Sequence, residues 1–565
     1  MSAVSDAATR RRGAAAGGAE GRRKRIAVIG GGPAGMVTVK ELKEKGFEVT
    51  GFEQRGRLGG VYNEAYAGLQ LTSSSVVTSF GSFIPHRDVE RGVVWQCGEY
   101  LAYLDEYARH FDLERHFRLG TAVRSLRRAS DGGWRLRAAP AGAAGGAGET
   151  ELHFDHVVIC GGNNQRPRLP EWADASRFDG EIRHSSQIRD QRDFAGKRVL
   201  VAGMGESGSD IALMAAKGGV ACTIAVRSGP GYVIPRFYRG LPTDLDTNRC
   251  HHALPRSVVA HPLVRFKVRI EDALATGPQD LAVLRKASEI NRAGRESPFN
   301  RFATKSTAFV EAIVHHGAEY RTGGVAELKG DRVVFTDGTE LVCDLIVCCT
   351  GFTPAYPYLE EHHPELVAAV KNPRALYKRM LIPGRGLDIA WVGYARPAFG
   401  SVPPIAEMQA RYLALLLSGA RALPSEAEMR RDAEMHAEFD LKHFVRDAER
   451  MLTLTDFYRF METTAQAIGC RPSVRRMLLR EPGMALRVLF GPLSAAQYRL
   501  DGPGADPLAA RAALRKMPTM PWPVLAYEFV LLAGCWALGL MREPWRPRAA
   551  RPAPARVEEA SPLPA

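Results

Sequence analysis

The 565-residue chain is long enough for several cores, and its 45% hydrophobic and 24% charged content is that of a globular protein, not a disordered or fibrous one. A formal net charge of +14 is concentrated partly at the ends, in Arg10–Arg12, Arg22–Arg25 and Arg542–Arg556, so residues 1–24 are expected to be a disordered basic leader and 546–565 a disordered tail. No nucleic-acid-binding motif accompanies the charge. Nine cysteines form no C-x-x-C pair and no zinc spacing, which points to core thiols in a reducing compartment and to no metal. The leader lacks the apolar core of a secretory signal.

Taken in order, Ile26–Ile29 reads as a buried strand that runs into Gly30-x-Gly32-x-x-Gly35, and residues 36–45 read as the helix that follows. In such a turn the first glycine permits the tight bend, the second lets backbone approach a pyrophosphate, and the third lets helix pack on strand. The next strand, Phe47–Phe52, ends at Glu53, 18 residues beyond Gly35, where an acid would meet a ribose hydroxyl. Gly59-Gly60 forms a second glycine pair suited to lie against a diphosphate. The hydroxyl run Thr72–Ser75 is either a capping loop or the lining of a polar pocket beside a cofactor. A helix over 98–110, a strand pair around Trp134 and Phe154 and a low-complexity solvent loop over 138–148 follow. Val157-Val-Ile-Cys-Gly-Gly162 is a further buried strand ending in glycines.

The pattern then repeats. Residues 198–202 lead into Gly203-x-Gly205-x-x-Gly208, and a helix is expected over 209–217. The partner strand Thr223–Val226 ends at Arg227-Ser228, not at an acid. A carboxylate repels a 2′-phosphate whereas a guanidinium grips one bidentately. The first unit is therefore expected to take an unphosphorylated adenosine ribose and the second NADP(H), with a structural arginine as the alternative. Residues 230–320 read as a helical and loop insertion whose His251-His252 pair is a surface feature. From 324 the strands resume, and Asp344–Phe352 is expected to complete the first unit.

These residues resemble the flavin-containing monooxygenases, single-component enzymes using FAD and NADPH. The resemblance is carried by both fingerprints, by Phe178-x-Gly180-x-x-x-His184 and by Asn300-Arg-Phe-Ala-Thr-Lys305. Cys349-Thr-Gly-Phe352, Trp391-Val-Gly-Tyr394, Phe399–Arg411 and Phe490–Gly504 add to it. It implies an α/β fold of two Rossmann-like dinucleotide-binding domains: an FAD domain over 25–165 and 324–420, and an NADP domain with helical insertion over 166–323. A helical carboxyl region spans 421–520. The implied FAD site is Gly30, Gly31, Gly32, Pro33, Ala34, Gly35, Glu53, Gly59, Gly60, Val61 and Tyr62. The implied NADP site is Gly203, Gly205, Ser207, Gly208, Ser209, Asp210 and Arg227. The resemblance further implies that Thr72 and Ser73 meet the nicotinamide and that Ser73 and Ser74 lie near the flavin, with Thr72 and Ser73 as the catalytic positions.

Two departures stand out. Ile188 replaces the aromatic close of the linker signature, and Ser73 replaces an asparagine, so a hydroxyl stands where the family has an amide. The resemblance implies that NADPH reduces FAD and that a C4a-hydroperoxyflavin oxygenates a small soft nucleophile, an amine nitrogen or a thioether sulfur. A Baeyer–Villiger monooxygenase, an uncoupled NADPH oxidase and a nucleotide-binding membrane scaffold are the alternatives.

The apolar run Val524–Met541, broken by Glu528, reaches about 27 Å as a helix. Residues 521–545 are thus a candidate membrane anchor, spanning or interfacial, with the catalytic domains on the cytoplasmic side. A buried core helix is the other reading.

Overall fold

The computed structural model describes residues 22–541 apart from 144–145, 228–231, 239, 256–257, 260–262, 264–265, 267–268, 270–279, 294–302 and 445–450. Most of the expected leader, the whole of the tail, Ser228 and residues 300–302 of the Asn300–Lys305 motif therefore lie outside the described residues.

Two five-stranded parallel sheets organise the chain. β1 (Arg25–Ile29), β2 (Glu48–Phe52), β3 (Phe117–Arg118) and β4 (His156–Ile159) belong to the first. β5 (Glu181–His184), β6 (Arg198–Ala202), β7 (Ala221–Val226), β8 (Glu319–Thr322) and β9 (Leu345–Cys348) form the second, and β10 (Ile389–Trp391) returns to the first. The spatial orders are β10-β4-β1-β2-β3 and β8-β7-β6-β9-β5, so each strand that precedes a glycine fingerprint lies at the centre of its sheet. Ile26, Ala27, Val28, Leu200 and Val201 are fully buried, as strands covered on both faces must be. The covering helices include α1 (Pro33–Glu44) on the first sheet and α2 (Glu206–Gly218) on the second. α1 packs in turn on α3 (Val402–Leu417), whose residues from Pro403 onward are all buried.

The returning strands fall differently from expectation. Residues 345–348 do not complete the first sheet; β9 sits between β6 and β5 in the second. Asp344 explains the choice, because its carboxylate accepts the Arg198 backbone N–H at 2.7 Å and pairs with the Arg198 guanidinium at 2.7 Å. That contact registers β9 on β6, from Val199 opposite Leu345 to Ala202 opposite Cys348. The strand that rejoins the first sheet is β10, with Trp391 opposite Ile159. The boundary expected at 324 therefore falls inside the second unit. The chain leaves the first unit and comes back along one path, since Arg166–Pro167 and Phe352–Thr353 pair antiparallel.

The carboxyl region is clamped to the first unit by buried charge. Arg499 donates to Glu41 of α1 at 2.6 Å and to Glu407 of α3 at 2.5 Å. Glu407 also accepts the backbone N–H groups of Gly81 and Ser82, at 2.6 and 3.0 Å. Burial pushes the Glu41 carboxyl up, but the charges of Arg499, Lys40 and Arg411 outweigh it and hold the group at about 2.

α4 (Phe457–Ile468) packs on α3, and beyond it, at the carboxyl end, the spanning form of the expected anchor is corrected. α5 (Trp522–Ala537) has 16 residues, and among the described residues no helix is long and apolar enough to cross a membrane. Glu528 decides how the helix lies. It is fully buried, accepts the Asn248 amide at 3.1 Å and sits 2.8 Å from His251 Nε2. The histidine pair is accordingly not a surface feature: His251 is turned to Glu528, and the His252 ring stacks on Tyr458 with centroids 4.9 Å apart.

Arg499→Met is expected to cost about 3–5 kcal/mol, because it leaves two buried carboxylates without their shared cation. Chemical denaturation at pH 7 measures this loss. The pH dependence has a definite sign: with Glu41 at 4.5 when unfolded and about 2 when folded, its contribution is complete above pH 4.5 and is lost as the pH falls toward 2. The variant should lack that part of the acid limb.

Candidate active site between two glycine cradles

Both fingerprints fold for one steric reason. Gly30 has φ +112°, and a Cβ there would lie 2.6 Å from the Cys160 carbonyl oxygen; Gly203 has φ +106° and would meet Cys349 O at 2.7 Å. A Cβ on Gly35 would come within 1.8 Å of Gly30 O, and one on Gly208 within 2.2 Å of Gly203 O. Side chains are excluded at all four positions, so each helix starts directly on the turn. Its first N–H groups, those of Ala34 and Gly35 in α1 and of Glu206, Ser207 and Gly208 in α2, have no acceptor within the helix and are free for an anion. Pro33 at the head of α1 costs nothing there, since that N–H would go unused.

Beside the first turn stand Glu53 and the Gly59-Gly60 pair. The Glu53 carboxylate is buried and accepts the Gly31 N–H at 2.6 Å and the Arg55 N–H at 2.8 Å. Gly59 donates to Gly31 O at 3.0 Å, and a Cβ on Gly60 would stand 3.0 Å from Gly32 Cα. The two glycine pairs thus touch backbone to backbone, which leaves no room for a side chain at Gly60. Val61 is exposed, while Tyr62 packs edge-on to Tyr100 with centroids 4.8 Å apart, and burial raises its phenol to about 12.

The second cradle is more open. Nothing lies within 4 Å of a Cβ built on Gly205, which caps α2 with extended backbone. Arg227 ends β7 exposed, with no ion pair to its guanidinium among the described residues. The side chains of Ser209 and Asp210 are not available in the same way, because both are spent on protein contacts. Ser209 Oγ bonds Ser306 Oγ at 3.0 Å and accepts the Phe309 N–H. Asp210 accepts from Tyr66 at 3.0 Å, from Arg236 at 3.1 Å and from Ser306 at 3.0 Å.

Between the cradles lies the hydroxyl run. Thr72 is half-buried. Ser73 donates to Gly400 O at 3.1 Å, and Ser74 donates its backbone N–H to Asp244 at 2.6 Å. Three buried oxygens close to this seam have no hydrogen-bond partner: Ser74 Oγ, Asp244 Oδ1 and Glu206 Oε2. Orphaned groups of this kind are completed by ordered water or by a ligand. Burial raises the Glu206 carboxyl, against the pull of the Lys305 N–H. A cavity of about 380 Å³ opens along the same seam, lined by Tyr66, Gln70, Asp210, Met214, Arg236 and Glu311.

Sequence reasoning missed Tyr66, Arg236 and Asp244, and treated Gly400 and Lys305 only as parts of motifs. No local pattern marks the first three. They come from distant stretches and meet only where the two units touch.

This architecture has known counterparts. The flavin-binding monooxygenase-like family matches residues 23–524. A 4-hydroxybenzoate brominase (decarboxylating) of Marinomonas mediterranea is 31% identical over 527 residues, 90% of this chain and 96% of that protein. Human flavin-containing monooxygenase 2 is 29% identical over 505 residues, 85% of this chain and 89% of its own. Among solved structures, OTEMO in complex with FAD and NADP superposes with a TM-score of 0.60 at 16% identity, covering 78% of this chain and 97% of that one. Cyclohexanone monooxygenase with bound ε-caprolactone gives 0.58 at 18% identity, covering 79% and 97%. The chain belongs to the flavin-binding monooxygenase-like family and is a flavin-dependent enzyme.

Proposed function

We propose that this protein is an NADPH-dependent monooxygenase of soft nucleophiles, amine nitrogen and thioether sulfur foremost, holding FAD at Gly30–Gly35 and NADP at Gly203–Gly208. The observation that carries the reading is the pair of glycine cradles whose neighbouring strands end in opposite charge, Glu53 beside one and Arg227 beside the other. In this reading the free N–H groups of α1 and α2 take the two diphosphates, Glu53 takes ribose hydroxyls, and Arg227 takes the 2′-phosphate. When bound, the flavin supplies the redox chemistry, accepting electrons from NADPH and activating O₂. The side chains orient the partners and exclude water. Ser73, fixed by Gly400, and Ser74, with its unpartnered hydroxyl, present two buried polar groups where the family places flavin and nicotinamide.

Ketone oxygenation is less well supported. It needs an uncompensated cation beside the flavin, whereas the seam cations Lys305 and Arg236 are each paired with a carboxylate, Asp244 at 3.2 Å and Asp210 at 3.1 Å. A second reading follows from the brominase relatives, because bromide is itself a soft nucleophile and could take the oxygen at the same site.

Purified holoenzyme supplied with NADPH and a tertiary amine or thioether is expected to consume one NADPH for each N-oxide or sulfoxide formed. Peroxide alone identifies an oxidase, an ester from a ketone overturns the reading, and bromophenol from bromide and 4-hydroxybenzoate establishes the second one. Arg227→Ala should raise the KM for NADPH by about tenfold to a hundredfold and leave that for NADH unchanged, since a charged hydrogen bond is worth about 1.5–3 kcal/mol. An unaltered NADPH/NADH preference removes the assignment.

We also infer that α5 lies on a lipid surface. Trp522, Phe529 and Trp536 recur every seven residues and are all more than half exposed, on the side opposite buried Val524, Glu528 and Cys535. Exposed aromatics along one helical stripe suit the interface plane. Wild-type protein should co-sediment with anionic vesicles, and a Trp522→Ser, Phe529→Ser, Trp536→Ser variant should stay in the supernatant; equal partition of the two refutes this.

A further inference from the structure

Lys305 is fixed at two ends. Its backbone N–H donates to Glu206 Oε1 at 2.7 Å, at the first residue of α2, and its ammonium lies 3.2 Å from Asp244 Oδ2. The same Asp244 oxygen accepts the Ser74 N–H at 2.6 Å. Next to Lys305, the Thr304 hydroxyl donates to Met204 O at 3.1 Å, inside the second fingerprint itself. The path Ser74–Asp244–Lys305–Glu206 therefore joins the hydroxyl run of the first unit to the mouth of the second cradle in three contacts. Ser74 is fully buried, Asp244 is 6% exposed, and the Lys305 side chain is 18% exposed, so water screens the path weakly.

Each end of the path is incomplete. Asp244 and Glu206 keep one buried oxygen apiece without a hydrogen-bond donor, and so does the Ser74 hydroxyl. A buried acceptor left unpaired is costly, and a ligand bringing donors to either end removes that cost. Any shift of α2 on filling its cradle moves Glu206, and with it the backbone of residue 305 and the ammonium that holds Asp244. A shift in Ser74 travels the same way in reverse. A packed element with two arrangements, biased from both ends, is what couples two sites.

We propose that Asp244 and Lys305 are positioning residues that make the two cradles bind cooperatively, so that NADP⁺ in the second cradle retains FAD in the first. This rests on the reading of Gly203–Gly208 as the NADP cradle. Neither residue touches the reacting atoms in this scheme. Their role is to transmit occupancy, and linkage requires the effect to be equal in both directions.

The test uses holoenzyme and the release of FAD, followed by the rise in flavin fluorescence on dilution, with and without saturating NADP⁺. In wild type, NADP⁺ is expected to slow release about fivefold or more. In Asp244→Asn and in Lys305→Met that factor, taken for each protein against its own release without NADP⁺, should fall below twofold. Equilibrium dialysis should then show NADP⁺ binding to the holoenzyme weakened in both variants. Lys305→Arg, which restores the cation, should restore the coupling. The proposal is overturned if NADP⁺ has no effect on release in wild type, or if Asp244→Asn and Lys305→Met keep the wild-type factor. Should wild type fail to bind NADP⁺, or bind it equally well after Arg227→Ala, the cradle assignment itself falls, and the dialysis arm shows this separately.

Discussion

The helix that follows each central strand can reach its turn only because two glycines meet backbone to backbone, Gly35 over Gly30 and Gly208 over Gly203. Any side chain at the third glycine would stand about 2 Å from a carbonyl oxygen, well inside contact distance. With that contact made, the helix axis points at the end of the strand and its unbonded N–H groups gather at one spot. The strand that flanks each turn is held to it just as closely, through the carbonyls of Cys160 and Cys349. The two units are thus built on one steric rule applied twice, and they differ in the charge that follows the next strand and in the glycine pair that packs on the first turn alone.

Joining the units raises a separate problem of charge. Polar side chains from both sides must be buried where the units meet, and each needs a partner. Tyr66 reaches across to Asp210, which also serves Arg236 and Ser306, while Asp244 reaches across to Ser74 and Lys305. In both clusters a carboxylate takes donors from separate parts of the chain and neutralises a cation. Ser74 Oγ, Asp244 Oδ1 and Glu206 Oε2 are left unpaired beside these contacts, while other unpaired buried hydroxyls, such as those of Tyr100 and Tyr107, lie in the core of the first unit. The link strands Arg166–Pro167 and Phe352–Thr353 run side by side, so the units are tethered at one edge and keyed together by these contacts.

The carboxyl region shows how a single buried acid can change the meaning of an apolar sequence. A helix hydrophobic on all sides belongs either in lipid or in a protein core. Glu528, with Asn248 and His251 beside it, turns one side of α5 to the protein and leaves Trp522, Phe529 and Trp536 outward. Arg499 works in the same direction at another point, binding residues 499–504 to α1 and α3 through Glu41 and Glu407.

The amino-acid sequence by itself determined the two glycine turns, the strands and helices on either side of them, and the opposed charges at Glu53 and Arg227. Those features are local: their spacing along the chain equals their arrangement in space, because strand, turn and helix leave one path for the backbone. Gly59-Gly60 was legible for the same reason. Only the tertiary structure decided that β9 joins the second sheet, that Ser209 and Asp210 are spent inside the protein, that His251 answers Glu528, and that Asp244 and Lys305 bridge the units. Each of these depends on partners from separate elements, as Asp344 is 146 residues from Arg198 and Glu528 is 280 from Asn248. Hydrophobic periodicity is blind to such pairs, because a charge reads as surface in sequence until a second charge is folded against it.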